Sequence, residues 1–166
     1  MNIALVVGHR GNKDRGAKSE VVGYEFDYWF KHVGKIVSAK HNLFVHTELD
    51  AKELSFALQR QKIDIAIELH FNSFGDQSPI GAEMLYLEGT CLQLPDKLLA
   101  NFCLNAFQKN RGVKAITTYG RGFRFLSRLE IYGMRAMIFE PAFAWEQILH
   151  EPERLCESFS KALDLL

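Results

Sequence analysis

The chain has 166 residues, of which 48% are hydrophobic and 24% charged, an ordinary globular composition that excludes a disordered chain. This length corresponds most simply to one domain, since domains usually contain about 100–200 residues. Lysine plus arginine balance aspartate plus glutamate at 20 each, and this zero net charge argues against nucleic acid or an anionic membrane as the main partner.

Cysteine usage and the lack of long apolar runs bear on the compartment. The three cysteines, Cys91, Cys103 and Cys156, lie far apart and form no C-x-x-C pair. Such scattered thiols predict reduced cysteines in a protein made in the cytoplasm. The opening MNIALVVGHRG is too short for a secretory signal and lacks a basic flank, so we expect synthesis without a signal peptide. No apolar run reaches 18 residues, so we expect no transmembrane helix and no membrane insertion.

Two kinds of hydrophobic periodicity alternate along the chain. Apolar or alternating runs predict strands over residues 2–7, 42–47, 63–71, 82–88 and 135–143. Steps of three and four residues predict helices over residues 24–40, 51–62, 94–110 and 152–166. Residues 111–132 show no clean period and receive no assignment. The alternation predicts an α/β fold, with a mixed, largely parallel sheet flanked by helices in a single domain over residues 1–166 and no separate binding domain.

Polar side chains follow three of the predicted strands at the point where each strand ends. His9 comes directly after the first strand, His70 ends the IDIAIEL run, and Glu140 ends the RAMIF run. In open α/β sheets, ligands bind just beyond the carboxyl ends of the strands. Two imidazoles and one carboxylate therefore converge on the edge where such sites are built.

This set of side chains is typical of a metal site. Catalytic zinc often takes two histidines and one glutamate, which leaves a position open for water. Glu25 is well placed as the third ligand at the first turn of a predicted helix, and Glu20 in the preceding loop competes with it. Glu140 has the profile of a general base beside such a metal. Taken singly, a histidine at a strand end is more often structural, and a glutamate before proline is often a turn.

Four short motifs occur in an order that resembles the zinc-dependent N-acetylmuramoyl-L-alanine amidases, a family that includes bacterial cell-separation amidases and many phage endolysins. The motifs are GHRGNKDRGA with a following GYEFDYWF, LSFALQRQKIDIAIELHFNS, GAEMLYL and MIFEPAF. The resemblance runs from residue 3 to about residue 145. It implies a hydrolase that cleaves the amide bond between N-acetylmuramic acid and L-alanine in peptidoglycan.

The resemblance also implies roles for individual residues. His9, Glu25 and His70 would bind one Zn²⁺ per chain, and Glu140 would be the catalytic acid/base. On the substrate side, Asn72 lies two residues beyond His70 and is a candidate for binding the muropeptide, with fixing of the loop as the alternative. The segment over residues 117–133 is expected to border the cleft, where arginines can pair with carboxylates of a peptide stem. Its candidates are Arg121, Arg124 and Arg128, with Arg124 as the substrate-binding choice, and a solvated basic loop is the alternative.

Three positions depart from the family pattern. Arg10 replaces a glycine, Arg135 takes the place of a frequent proline, and Glu68 stands where the family commonly has serine. None is a proposed ligand, so we expect these changes to affect substrate handling more than chemistry. For Glu68 we expect either a side chain on the opposite face of the strand from the site or a place behind the ligands.

Two other functions share most of these features. A zinc hydrolase of another amide or peptide would use the same residues, and a non-catalytic wall-binding domain of the same fold would lack turnover. A monomer that lacks a signal peptide and reaches the wall at lysis or after release fits an endolysin, and wall remodelling is the alternative.

Overall fold

The computed structural model describes residues 1–9, 11, 14–47, 51–73, 79–90, 93–117 and 123–166. The strands in these parts of the chain are β1 (Asn2–Val7), β2 (Lys18–Ser19), β3 (Gly23–Tyr24), β4 (Asn42–His46), β5 (Ile65–Leu69), β6 (Ala82–Leu87), β7 (Asn110–Ile116) and β8 (Arg135–Glu140). The helices are α1 (Glu25–His32), α2 (Ala51–Arg60), α3 (Gln93–Ala106), α4 (Phe123–Ile131) and α5 (Pro152–Leu163), with 3₁₀ turns at Val33–Lys35 and Gln147–His150.

Six strands form one mixed sheet in the order β4-β1-β5-β8-β6-β7. The first four run parallel to one another, β6 pairs antiparallel with β8, and β7 is parallel to β6. The short strands β2 and β3 form a separate two-stranded ribbon. The predicted largely parallel α/β fold is confirmed.

Helices cover both faces of this sheet, which explains why β1 is apolar and buried from Ile3 to Val7. Alternate residues of β1, such as Ile3 and Leu5, pack in the core with α1, α3 and α5. The residues between them, Ala4 and Val6, pack against leucines of α2 and α4 on the other face. A parallel strand buried on two faces needs apolar side chains in both directions, so the runs are continuous.

The predicted helix over residues 24–40 is wrong beyond His32. α1 ends there, a 3₁₀ turn follows, and the backbone of Ile36 is extended. Gly34 and the β-branched Val33 disfavour helix continuation. Val33 and Ile36 are nevertheless buried in the core, which explains how their spacing imitated a helix.

The unassigned stretch over residues 111–132 contains two elements, β7 and α4. β7 is an edge strand whose residues are half-buried or exposed, so it lacks the apolar run of a central strand. α4 buries Leu126 and Leu129 against the sheet. Among the described helices, none is long and apolar enough to cross a membrane.

Phe159 on α5 provides a test of this packing. Its ring stacks on Phe139 of β8 with a centroid separation of 4.5 Å, and its side chain is 1% exposed. We expect Phe159→Ala to lower the free energy of unfolding by about 3–5 kcal/mol, because the cavity cannot collapse inside a packed core. Urea denaturation measures this, with Phe107→Ala as the control since Phe107 is 84% exposed. Equal midpoints for the two variants would contradict the packing.

Candidate metal centre and active site

Three of the predicted site residues form one cluster. His9 follows β1, His70 follows β5, and Glu25 is the first residue of α1. Glu25 Oε1 lies 3.2 Å from His9 Nε2 and 2.9 Å from His70 Nδ1. One ligand atom from each residue lies within 4.8 Å of the others, so the three side chains could hold a metal ion. Glu20, the competing candidate, is exposed and outside this cluster.

Glu25 is fixed in place by backbone groups. The Ala17 N–H donates to its Oε2 at 2.8 Å, and the Phe71 N–H donates to its Oε1 at 2.8 Å. The residue is 1% exposed. Burial opposes its ionisation, but the adjacent imidazoles of His70 and His9 outweigh burial and hold the pKa of Glu25 well below its usual range. The carboxylate is therefore charged and oriented before any ligand binds.

A carboxylate also contacts the outward nitrogen of each histidine. His9 Nδ1 lies 2.9 Å from Asp14 Oδ2, and His70 Nε2 lies 3.2 Å from Glu68 Oε2. Burial lowers the pKa of His70, but Glu68 and Glu25 raise it to about 10. Burial likewise opposes protonation of His9, while Glu25 and Asp14 produce a net raised pKa.

Of the two alternatives for Glu68, the structure fits a place behind the ligands and not the opposite face of the strand. Residues two apart on a strand share a face, so Glu68 and His70 project together. The contact with His70 Nε2 places Glu68 directly behind the cluster.

The inward atoms have the geometry of a metal site. His9 Nε2 is buried and has no hydrogen-bond partner within the described structure, although Glu25 Oε1 lies 3.2 Å away. Bonds of about 2.0–2.2 Å would put tetrahedral zinc ligands roughly 3.3–3.6 Å apart. The two separations from Glu25 Oε1 are close to that spacing. The donor set and the orphaned nitrogen therefore fit a bound cation.

Two glycines make room for the imidazoles. A Cβ atom added at Gly8 would lie 2.5 Å from His70 Nε2 and 2.8 Å from Nδ1. One added at Gly16 would lie 2.6 Å from Glu25 Oε2. The backbone of His9 itself is in the left-handed region, with φ of 67°, a conformation that non-glycine residues adopt at a cost.

Glu140, the predicted acid/base, ends β8 at the same edge of the sheet and is 1% exposed. It lies opposite Glu83 of β6, and the two carboxyl groups are hydrogen-bonded. Glu83 in turn accepts from Arg111 Nε at 2.8 Å and Lys114 Nζ at 2.5 Å. Burial raises the pKa of Glu83, but Lys114, Arg111 and Glu140 outweigh it, so the pKa is lowered.

Sequence reasoning missed this role for Glu83. The only signal was a glutamate in GAEMLYL, followed on a later segment by two basic residues three apart. These residues can be recognised as neighbours only when β6 is known to pair with both β7 and β8.

The substrate-side candidates are Asn72, just after β5, and Arg124, on α4. Asn72 is buried, and its backbone bonds to Ala142 and Ala144 tie the segment after β5 to the segment after β8. Arg124 is exposed in the first turn of α4, which packs on β8. Their substrate roles stay predictions. Arg10 and Arg121 lie outside the described residues.

Cysteine chemistry has no support at this site. Cys103 and Cys156 are buried free thiols, and burial raises the pKa of each to about 11. A nucleophilic cysteine needs a lowered pKa. Cys91 lies outside the described residues.

Gly8→Ala tests whether this packing positions His70. We expect the added methyl group to push the ring away from Glu25 and Glu68, so that the pKa of His70 falls from about 10 toward its ordinary 6.5. An NMR titration of the imidazole in chelator-treated protein measures this. Gly34→Ala is the matched control, because a Cβ atom there meets nothing within 4 Å. An unchanged His70 titration in Gly8→Ala would contradict the packing.

Comparison with known proteins places the chain in a family. A family model described as N-acetylmuramoyl-L-alanine amidase matches residues 3–147. No curated protein matches the chain in sequence.

Solved structures share the fold. An N-acetylmuramoyl-L-alanine amidase from Clostridium difficile 630 superposes with a TM-score of 0.79 at 18% identity, over 98% of this chain and 94% of that one. The amidase AmiC2 of Nostoc punctiforme gives 0.77 at 16%, over 97% and 94%. The catalytic domain of the CD27L endolysin, which targets Clostridium difficile, gives 0.71 at 20%, over 98% and 96%. The predicted family and enzyme class are confirmed, and the chain belongs to the N-acetylmuramoyl-L-alanine amidase family.

Proposed function

We propose that this amidase is zinc-dependent and hydrolyses the amide bond between N-acetylmuramic acid and L-alanine in peptidoglycan. His9, Glu25 and His70 hold the metal, and Glu140 is the catalytic acid/base. The observation that carries the proposal is the cluster of His9, Glu25 and His70, in which one ligand atom from each residue lies within 4.8 Å of the others. The family match supports the substrate.

The chemistry of the donor set favours zinc. Two imidazole nitrogens and one carboxylate oxygen suit Zn²⁺, whereas Mg²⁺ and Ca²⁺ prefer oxygen ligands. Carboxylates behind both histidines hold each ring in the orientation that presents its free nitrogen. When bound, Zn²⁺ supplies Lewis-acid polarisation of the scissile carbonyl and makes a water molecule more acidic.

Glu140 moves the proton. Its carboxylate accepts a proton from the attacking water as the new C–O bond forms at the carbonyl carbon. It then delivers that proton to the alanine nitrogen as the C–N bond breaks, so the products are a carboxylic acid and a free amine. The hydrogen bond to Glu83, which is paired with Arg111 and Lys114, holds the Glu140 carboxyl group in place for both steps.

Strand alternation supports a substrate-binding role for Arg124. Leu69 is paired with Phe139 in the parallel strands β5 and β8. His70 and Glu140 are each the next residue along, so their side chains project from the same face of the sheet. α4 covers that face through Leu126, and Arg124 lies two residues earlier on the same helix. Its guanidinium would pair with a carboxylate of the peptide stem. Asn72 would hydrogen-bond the muropeptide next to His70.

The biological setting follows from the substrate. The enzyme acts on the cell wall, in lysis or in remodelling, as a monomer with one zinc ion per chain. A hydrolase of another amide would share every residue named above. Separation of the reaction products on purified muropeptides distinguishes the two, because only the proposed activity frees an L-alanine amine and an intact lactyl carboxylate.

Glu140→Gln separates catalysis from metal binding. We expect this variant to keep about one zinc per chain and to lose roughly 10²–10⁴-fold in hydrolysis, the usual contribution of an acid/base group. His70→Ala should lose both properties. Peptidoglycan digestion and metal analysis of the same preparations provide the readouts. Full activity in Glu140→Gln would show that Glu140 is not the catalytic acid/base.

Chelation and pH test the metal itself. Dialysis against a chelator should abolish hydrolysis, and added Zn²⁺ should restore it. Because the pKa values of His9 and His70 are raised, protons compete with zinc for both rings near neutral pH. Zinc affinity should therefore fall as pH falls, by roughly tenfold per pH unit for each displaced proton. Ligation by these histidines would be contradicted by a zinc affinity that stays constant between about pH 6 and 8, where imidazoles titrate.

A further inference from the structure

Glu68 is an acidic residue at a position where the amidase family commonly has serine. It lies in β5, and its carboxylate oxygen Oε2 is 3.2 Å from His70 Nε2. Its side chain is only 17% exposed, and that of His70 13%. The contact is therefore sheltered from water, which strengthens it relative to a surface ion pair.

The two ring nitrogens of His70 have different partners. Nδ1 lies 2.9 Å from Glu25 Oε1, on the side of the clustered ligand atoms. Nε2 lies on the opposite edge of the ring, against Glu68. When a cation replaces the proton on Nδ1, the one proton left on the ring is on Nε2, where the Glu68 carboxylate accepts it in a hydrogen bond. That tautomer leaves the lone pair on Nδ1 directed at the cluster.

The strand geometry makes this contact local. Glu68 and His70 are two residues apart on one extended segment, and their side chains project from the same face. Glu68 is paired with Val6 of β1 and Ile138 of β8 on either side, so its backbone is held by two neighbouring strands. Gly8 closes off the space beside the ring. A serine side chain is two heavy atoms shorter than glutamate and would not span the same distance.

We propose that Glu68 is a positioning residue that fixes the tautomer and orientation of His70, so that His70 ligates the metal through Nδ1. This rests on the proposed metal site and adds to it a residue of this chain that the family pattern does not supply. The histidines are then held asymmetrically, His9 presenting Nε2 with Asp14 behind it and His70 presenting Nδ1 with Glu68 behind it.

Zinc affinity of the full chain tests the proposal, measured by competition with a chromophoric chelator. We expect Glu68→Ala to bind Zn²⁺ about 10–100-fold more weakly, the usual effect of removing a hydrogen-bond partner behind a metal ligand. Glu68→Gln keeps an acceptor oxygen and should bind more tightly than Glu68→Ala. Glu157→Ala, which removes an exposed carboxylate on α5, is the control for loss of charge and should match the wild type.

Nitrogen-15 NMR of the imidazoles supplies a readout that a purely structural role would not change. In the zinc-loaded wild type and in Glu68→Gln, His70 should carry its proton on Nε2. In zinc-loaded Glu68→Ala the ring should be free to bind through either nitrogen, so its proton should no longer be confined to Nε2, while circular dichroism shows an unchanged fold. Wild-type affinity in Glu68→Ala, or a zinc-loaded His70 with its proton on Nδ1, would overturn the proposal. A wild-type protein that binds no zinc would instead overturn the proposed metal site.

Discussion

The parallel pairing of β1 with β5 is the constraint on which the site depends. Val7 is in register with Leu69, and the ladder continues with the Gly8 N–H donating to the Leu69 carbonyl at 3.1 Å. The His70 N–H then donates to the Phe139 carbonyl of β8 at 3.0 Å. The hydrogen-bonded strands therefore extend up to the functional side chains. A one-residue slip in this register would turn His70 to the other face.

Buried negative charge is the second organising feature of this edge. Glu25, Glu68, Glu83 and Glu140 all lie within or next to the sheet, and such groups are costly to bury without partners. Glu25 is compensated by two imidazoles and two backbone N–H groups. Glu83 is compensated by Arg111 and Lys114. The two clusters differ in what balances them. In the first cluster, a bound cation could replace the imidazole protons as the balancing charge. In the second, Arg111 and Lys114 pair with Glu83, which is hydrogen-bonded to Glu140.

Much of this arrangement could be predicted from sequence, because hydrophobic runs and strand ends are local features. The continuous runs around Ile3 and Ile65 identified central strands, and the residues after them identified the edge where His9 and His70 lie. Features that depend on pairing between distant strands could not be predicted. The edge strand β7 has no apolar run of its own, because only its pairing with β6 makes it a strand.

The antiparallel direction of β6 shows why the strand pairing that could not be predicted matters for the site. In an all-parallel sheet the amino end of β6, which carries Glu83, would lie at the edge opposite Glu140. Because β6 runs antiparallel to β8, Glu83 faces Glu140 directly, and β7 follows β6 to bring Arg111 and Lys114 alongside. The hydrophobic pattern of a strand does not reveal this direction, because the pattern is the same in parallel and antiparallel pairing. The topology of the sheet thus determines which residues surround Glu140, while the local sequence at each strand end determines which residues reach the site.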